Sequence, residues 1–582
     1  TMWRIINSLT GRDGRKSTII PSHLTADTFN DHFLSVASTL VSSGYHSAST
    51  DKPDVLTEFC RQKLGDKESF NIPYLAVHEV GKIISGMANK KSTGLDDINP
   101  HILKLSLPYI VESLTYIYNL CIEHCVIPQD LKSAKVIPLP KGRDRSDPNN
   151  YRPISLLSVL SKPIEKHIQK HLYLYLQTRD LIHPLQSGFR PRHSCHTVLS
   201  RLTDTWLSNM NNSLTTGVIY LDFKKAFDLV DHEKLLKKLH LYLNNDSSVS
   251  IFRSYLSERT QKVLLNGKYS SQKPITAGVP QGSVLGPLLF CIYINDLPLH
   301  LTNQNVQCDL FADDTSIHTA DKNISSVSKR LQQSLDDVTS WCSENSMIVH
   351  PVKTKSMVIA TRQRHQLKPL VLDLTLGGNP IEQVNEHRLL GVTVDSQLRW
   401  HTHVENVCKT VSKNLFMLSK LKPLIAVETR KMFFNAHIRT HIDYASTVWD
   451  GCSDVHLKRL DSLNRRAAKL IVSDTTLTTD QKMEAAGILS LQNQFSYNKG
   501  ILMHKIWNQR TPPYLNHFFK QSESIFGAFN RLFIVPRTRI DIFKSSLSFA
   551  GSSLWNSLPL SLKNTSSLAR FKVSLFKYLL YK

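Results

Sequence analysis

Two stretches decide the fold. The first is Gly217-Val218-Ile219-Tyr220-Leu221-Asp222, running on into Phe223-Lys224-Lys225-Ala226-Phe227-Asp228; the second is Leu310-Phe311-Ala312-Asp313-Asp314-Thr315. The first is an unbroken apolar, β-prone run that ends in an aspartate, which predicts a buried strand over 217–222. In the second, apolar and β-prone residues flank adjacent acids, which predicts a hairpin with the acids at its tip. Adjacent acids at a turn are also ordinary surface decoration. An aspartate closing a buried strand, however, costs energy unless it is paired or holds a metal. Two such strands side by side would bring Asp222 and Asp313 together, and Mg²⁺ held by one or two carboxylates plus substrate phosphates would relieve their repulsion. Paired metal ions ~3.5–4 Å apart suit in-line displacement at phosphorus. These residues therefore point to two-metal phosphoryl transfer.

Between the two stretches lies Ala277-Gly278-Val279-Pro280-Gln281-Gly282-Ser283-Val284-Leu285-Gly286-Pro287. Its glycines allow close backbone approach to a ligand, Ser283 can cap the helix that follows, and Gln281 offers both donors and acceptors. An ordinary Gly/Pro loop is the alternative.

Working outward, short apolar runs alternate with helical stretches from about Leu131 to Val394, a mixed α/β texture. Strands are predicted at 135–139, 217–222, 262–265, 305–311, 316–319, 347–349 and 356–360. Helices are predicted at 161–177, 231–242, 247–256, 283–293 and 325–342. Upstream, Phe29, Phe33, Val36, Ala37 and Leu40 make one helical stripe, and Val77, Val80, Ile83, Ile84 and Met87 another. Ser- and Asp-rich turns are expected from Ser42 to Asp54. Past about His401 the strands stop. Val404, Val407, Val411, Leu415, Leu418 and Leu421 line one helix; Leu457, Leu460, Ala467 and Leu470 line another, with Lys458, Arg465, Arg466 and Lys469 off the stripe.

The chain has 582 residues, 71 Lys+Arg against 48 Asp+Glu, and a net charge of +23. With 41% hydrophobic residues and 47 Gly plus Pro, it has ordinary cores and is neither disordered nor collagen-like. Its longest mainly apolar stretch, Val284 to Ile294, is too short to span a bilayer and is broken by Gly286 and Pro287, and no signal peptide opens the chain. The expectation is a soluble, multidomain, intracellular protein. Nine scattered cysteines with no C-x-x-C pair read as reduced thiols and argue against zinc ribbons. A metal reading of His401, His403 and Cys408 competes with their being polar residues at a helix start. From His401 onward, 26 Lys/Arg face 11 Asp/Glu, so +15 of the charge lies in the last 182 residues. That imbalance suggests a polyanion-binding surface beside a near-neutral body; a solvated helix face is the plainer account.

The order of blocks resembles the reverse transcriptase of non-LTR (LINE-type) retrotransposons, the jockey-like group in particular. The matching blocks are KSTGLDDINPHILK, KVIPLPKGRDRSDPNNYRPISLLSVLSKPIEKHI, QSGFRPRHSCHTVL, VIYLDFKKAFD, AGVPQGSVLGPLLFCIYINDL, LFADDTSIH and RLLGVTVD. They cover about 90–394; the flanks resemble the same elements more loosely. The resemblance implies an α+β right hand: fingers from roughly 76–215, a palm with an antiparallel sheet, and a helical thumb from near 400. Its expected segments are a linker (1–75), an extension to the fingers (76–130), fingers and palm (131–395), thumb (396–480) and a basic C-terminal region (481–582).

By the same resemblance, Asp222 and Asp313 are the catalytic metal ligands, with Asp314 the less directly involved neighbour and the Phe223 carbonyl an added ligand. Lys141 and Arg152 reach the triphosphate, Phe227 lies under the incoming sugar, Gln281 stands near the nucleotide, and Lys353 donates a proton to pyrophosphate. Gln186, Gly188, Phe189 and Arg190 contact the template. Plainer readings stay open: Phe227 as core, Arg152 as a surface ion-pair partner. The implied cofactor is Mg²⁺, two ions, with Mn²⁺ as a substitute. The implied partners are an RNA template, dNTPs and a DNA primer or target, nicked for target-primed synthesis; no membrane is involved, a nuclear location is expected, and oligomeric state is left open. His350 departs from the family pattern, where Asn is more usual. No apurinic-type endonuclease precedes the blocks and Thr1 opens the chain, so a partial reading frame is expected; no Cys-rich motif or ribonuclease H set of acids follows. An inactive retroelement-derived RNA-binding protein and an intron-maturase-like splicing cofactor are the rival functions.

Overall fold

The computed structural model describes residues 21, 23–42, 55–65, 68–142, 144–367 and 369–581, with the side chains of 36–42 excepted. The turns expected after Ser42 fall outside the described residues, as do the side chains of Val36, Ala37 and Leu40.

Nine strands position the site: β1 (Ala134–Pro140), β2 (Tyr151–Leu156), β3 (Thr215–Leu221), β4 (Arg259–Leu265), β5 (Lys268–Tyr269), β6 (Lys273–Ile275), β7 (Gln307–Phe311), β8 (Asp314–Asp321) and β9 (Lys355–Ile359). They form two sheets. The palm sheet runs β9-β3-β8-β7, all antiparallel, and Glu382–Gln383 adds a short parallel edge to β9. The second sheet, in the fingers, runs β2-β1-β4-β5 with β6 on β4.

β3 is apolar without alternation because both its faces are covered. Ile219 and Leu221 enter the core shared with the fingers, whereas Val218 and Tyr220 enter the core shared with the helices after 400. Gly217 fits the close crossing of helix Ile324–Glu344: a Cβ there would stand 2.5 Å from Val327 Cγ1.

The helices Ser161–Thr178, His232–Leu243, Asp246–Leu256, Gly286–Ile294 and Ile324–Glu344 stand where the periodicity predicts them, within a few residues. Ser283 accepts the Gly286 amide at 2.9 Å, tying down the start of the fourth. Three expectations need correction. The strand at 347–349 is an isolated bridge between Phe223 and Val349. β2 lies where no strand is predicted; it is an edge strand, where its Pro153 is tolerated. The fingers do not end near 215, because β4, after the first palm strand, returns to pair in parallel with β1.

Within the segment 1–75, a described helix packs on the sheet of β1 and β2. Helix Ala26–Ser42 buries Phe29 against Tyr151 of β2 (ring centroids 4.7 Å), and Asn30 donates to the Ser271 carbonyl at 2.8 Å.

After 400 the fold is helical. The stripe from Val404 to Leu421 is buried along helix His401–Leu421, which packs on helix Asp454–Ile471. The C-terminal region has its own core, around Trp555, Met503 and Phe571. It clasps palm helix Cys195–Asn211: Asp204 accepts the Ser548 amide (2.9 Å) and Asn211 the Arg539 amide (2.7 Å). No described helix is long and apolar enough to cross a membrane.

Candidate active site

In the register of the palm sheet, Leu221 of β3 lies opposite Thr315 of β8, so the chain leaves β3 at Asp222 beside the tip of the β7–β8 hairpin. Phe311 pairs with Asp314, leaving Ala312 and Asp313 as the two-residue turn. Ala312 is left-handed at φ +58°, a conformation that costs an L-residue about 1–2 kcal/mol. It is held from behind. Gln186 Oε1 accepts the Gly188 amide at 2.8 Å and the Ala312 amide at 3.4 Å, and the Ser187 amide donates to the Leu310 carbonyl at 2.8 Å. Gly188 permits the approach, since a Cβ would stand 2.3 Å from Ala312 N.

Part of the block expected at the template thus has a structural role as well. Gln186 and Gly188 are buried and brace the acidic turn. Arg190 is spent internally, on the carbonyls of Gln186 (2.8 Å) and His183 (3.2 Å) and on the Gln177 side chain (2.7 Å). Of that block only Phe189 presents an open side chain, edge-on to Phe227 at 6.2 Å.

Asp222 is fixed through its backbone. Its carbonyl accepts the His350 amide at 2.7 Å, and its amide donates to the Thr354 hydroxyl at 3.3 Å. The Lys224 amide likewise donates to Ile348, so the two bonds flank Phe223 and leave its carbonyl outside that ladder. His350 thus contributes its main chain to this bond. Thr354, fully buried, is a positioning residue that the sequence reading missed. The Asp222 carboxylate remains 45% exposed, with Lys353 Nζ 3.8 Å away.

The electrostatics of the acids are unresolved within the protein. Burial raises the Asp313 carboxyl, and the Asp222 charge adds to the rise while Arg152 opposes it. Asp314, part of which is exposed, is pushed up to about 6, first by loss of water and then by Asp313 and Asp222. The three carboxyls share one field without converging as a set to within 4.8 Å. Their mutual repulsion, partial exposure and all-oxygen donors fit a hard divalent cation. Asp222 and Asp313 would hold it, with Asp314 alongside.

A cationic fringe faces them. Lys141, just past β1, is lowered by burial, then by Arg152 and Lys353, and is opposed by Asp228 and Asp222; all five therefore belong to one neighbourhood. Phe227 is half-buried, stacked on Phe290 at 4.3 Å, so it is at once core and wall of the site. Gln281 Nε2 donates to Asp228 Oδ1 at 2.8 Å. Gly282, at φ +132°, lets its loop lie on β2, where a Cβ would meet the Ser155 carbonyl at 2.3 Å. Asp228, raised by burial, was not singled out from the sequence although it ends the same block as Phe227.

Beyond the palm, the exposed Lys458, Arg466 and Lys469 line a groove of about 610 Å³ with Ser490 and Gln492. Arg465 is neutralised there by Asp461 (2.8 Å) and Asp480 (2.7 Å). His401, His403 and Cys408 form no cluster. His401 meets His456 (2.6 Å), His403 accepts the Thr393 amide (3.3 Å), and Cys408 is buried among apolar side chains.

Comparison with known proteins agrees with this geometry. The reverse transcriptase (RNA-dependent DNA polymerase) family matches residues 139–394. The chain is 28% identical over 436 residues to the RNA-directed DNA polymerase from mobile element jockey of Drosophila melanogaster, covering 72% of this chain and 46% of that protein. It is 28% identical over 427 residues to the probable RNA-directed DNA polymerase from transposon BS of the same fly, covering 71% and 47%. It is 25% identical over 410 residues to the jockey polymerase of Drosophila funebris, covering 68% and 44%. The chain spans about half the length of the curated relatives it matches. Residues 139–394 match the reverse transcriptase family, and most of the chain is similar to the RNA-directed DNA polymerases of mobile elements such as jockey and BS.

Proposed function

We propose that the chain copies an RNA template into DNA, extending a primer 3′-hydroxyl with dNTPs, the primer being nicked DNA at an insertion site. The observation that carries this reading is the β3–β8 register, which sets Asp222 beside the braced turn of Asp313. Two Mg²⁺ ions, or Mn²⁺ in their place, would lower the pKa of the attacking hydroxyl and neutralise the leaving pyrophosphate. Asp222 and Asp313 hold that position, with the Phe223 carbonyl and Asp314 at its margin. Lys141 and Arg152 bind the triphosphate by charge-assisted hydrogen bonds. Lys353, close to Asp222, is placed to deliver a proton to the departing phosphate. Phe227 floors the sugar pocket, Gln281, held by Asp228, faces the base, and Phe189 offers a ring to the template. The groove of Lys458, Arg466 and Lys469 takes the phosphates of the template–primer duplex.

The test is primer extension on a plain RNA template, with and without Mg²⁺, by the intact chain and by Asp222→Asn. Extension that needs Mg²⁺ and vanishes in the variant, with folding and RNA binding retained, supports the reading. RNA binding with no extension by the intact chain overturns it.

A further inference from the structure

We propose a second metal site, unrelated to the palm acids: Glu79, His167 and His171 form a site for a Zn²⁺-type divalent cation that staples helix Val77–Ser85 to fingers helix Ser161–Thr178. Each side chain brings one ligand atom to within 4.8 Å of the other two, the one such trio among the described residues.

Three features set this trio apart from a chance cluster. His167 and His171 are four residues apart, so one helix face carries both rings, with centroids 4.5 Å apart. His167 Nε2 lies 2.7 Å from the Pro73 carbonyl. Only an N–H can make that contact, so the neutral ring carries its lone pair on Nδ1. A carbonyl accepting from the far ring nitrogen in this way orients metal-binding imidazoles. Finally, His171 Nε2 is buried with no hydrogen-bond partner, a cost the fold carries without return unless something binds there.

A neutral imidazole offers one lone pair to a metal, and here two imidazoles face the same point. Glu79 supplies the anionic ligand. It now accepts from Lys170 and from the Ala76 amide, each at 3.4 Å, the long end of hydrogen bonding and readily exchanged. Two imidazoles and one carboxylate select Zn²⁺ and its neighbours over Mg²⁺ or Ca²⁺, and leave a fourth position for water.

The test strips the full chain with a chelator and titrates it with Zn²⁺ alone, following stoichiometry and melting temperature; Co²⁺ replaces Zn²⁺ for visible absorption. The intact chain should bind one equivalent more than His171→Ala, show tetrahedral Co²⁺ bands that this variant lacks, and melt higher with Zn²⁺. Glu79→Gln should weaken binding at least tenfold, or about 1.4 kcal/mol, and it decides the question if His171→Ala fails to fold. Asp313→Asn, which removes a palm ligand, should keep the full Zn²⁺-dependent rise in melting temperature. Equal stoichiometry and equal melting shifts in the intact chain and Glu79→Gln would overturn the proposal.

Discussion

Asp309 and Asp313 stand four residues apart on one hairpin, and the protein treats them in opposite ways. Asp309 is buried at 4% exposure, where loss of water would raise its pKa. Arg201 at 2.5 Å and His318 at 3.1 Å outweigh that burial and hold the carboxyl below its ordinary value. Among the described residues Asp313 has no ion-pair partner, and burial, followed by the Asp222 charge, pushes its pKa up. The first charge is one the fold has settled for its own stability. The second is left unsettled at a solvent-reachable tip, which is what a site for a cation and polyphosphate needs. The same division recurs after 400, where Arg465 is paired twice and Arg466 beside it is open.

The sharpest way to break the contrast is to remove each charge in turn. Asp313→Asn should cut primer extension by at least about a hundredfold, since loss of a metal ligand costs several kcal/mol of barrier. Its melting temperature without divalent cation should stay level or rise, because a repulsion is gone. A variant that extends normally, or that unfolds, would end the distinction.

On the settled side, Arg201→Met strands a buried carboxylate. The expected loss is ~3–5 kcal/mol of unfolding free energy in urea titration. The fraction still folded should keep its extension rate per molecule. A stable Arg201→Met protein would show that Asp309 does not depend on its partner.

Acid titration tests the pair with a smaller signal. A carboxyl raised in the folded state keeps its proton longer than in the unfolded chain, so ionising it weakens the fold as pH climbs from the ordinary 3.8 to about 6 for Asp314. Asp309, lowered, works the other way: its contribution is present above the unfolded value and disappears as pH falls through the folded one. Without divalent cation, Asp314→Asn should therefore gain in melting temperature over the parent as pH rises across that window. A constant difference between the two profiles would remove the assignment.

The smallest effect is expected in the groove. Arg466→Ala should flatten the salt dependence of nucleic-acid binding by up to ~0.7–0.9 in log–log slope, whereas Arg465→Ala should leave it unchanged. Equal slopes would mean that pairing does not decide which arginine meets phosphate.

What could be read from the sequence follows from range. Asp222 and the Asp313 turn were legible because an apolar run ending in an acid is a local pattern, and β3 and β8 then pair as such runs must. The helical segment after 400 was legible from spacing alone. The bracing was not: Gln186 reaches Ala312 across 126 residues, Arg201 reaches Asp309 across 108, and Thr354 reaches Asp222 across 132. None of these partners alters local periodicity, so the block around Gln186 carried a template role by resemblance while its buried members hold the turn. The basic run near 460 shows the converse. Composition counted Arg465 with its neighbours, and only the positions of Asp461 and Asp480 separate them.

The return of β4 to the fingers sheet has a consequence for how the chain is made. Helix Ala26–Ser42 is made well before its partners: the Ser271 carbonyl that receives Asn30 lies 241 residues downstream. At roughly 5–20 residues per second, Phe29 waits about 12–50 s for the far side of its sheet. During that interval an apolar helix face and the open edge of β1 are both exposed, a setting for mispairing between nascent chains. The speed of translation between Ala26 and Ile275 would then influence how much of this protein reaches its folded state.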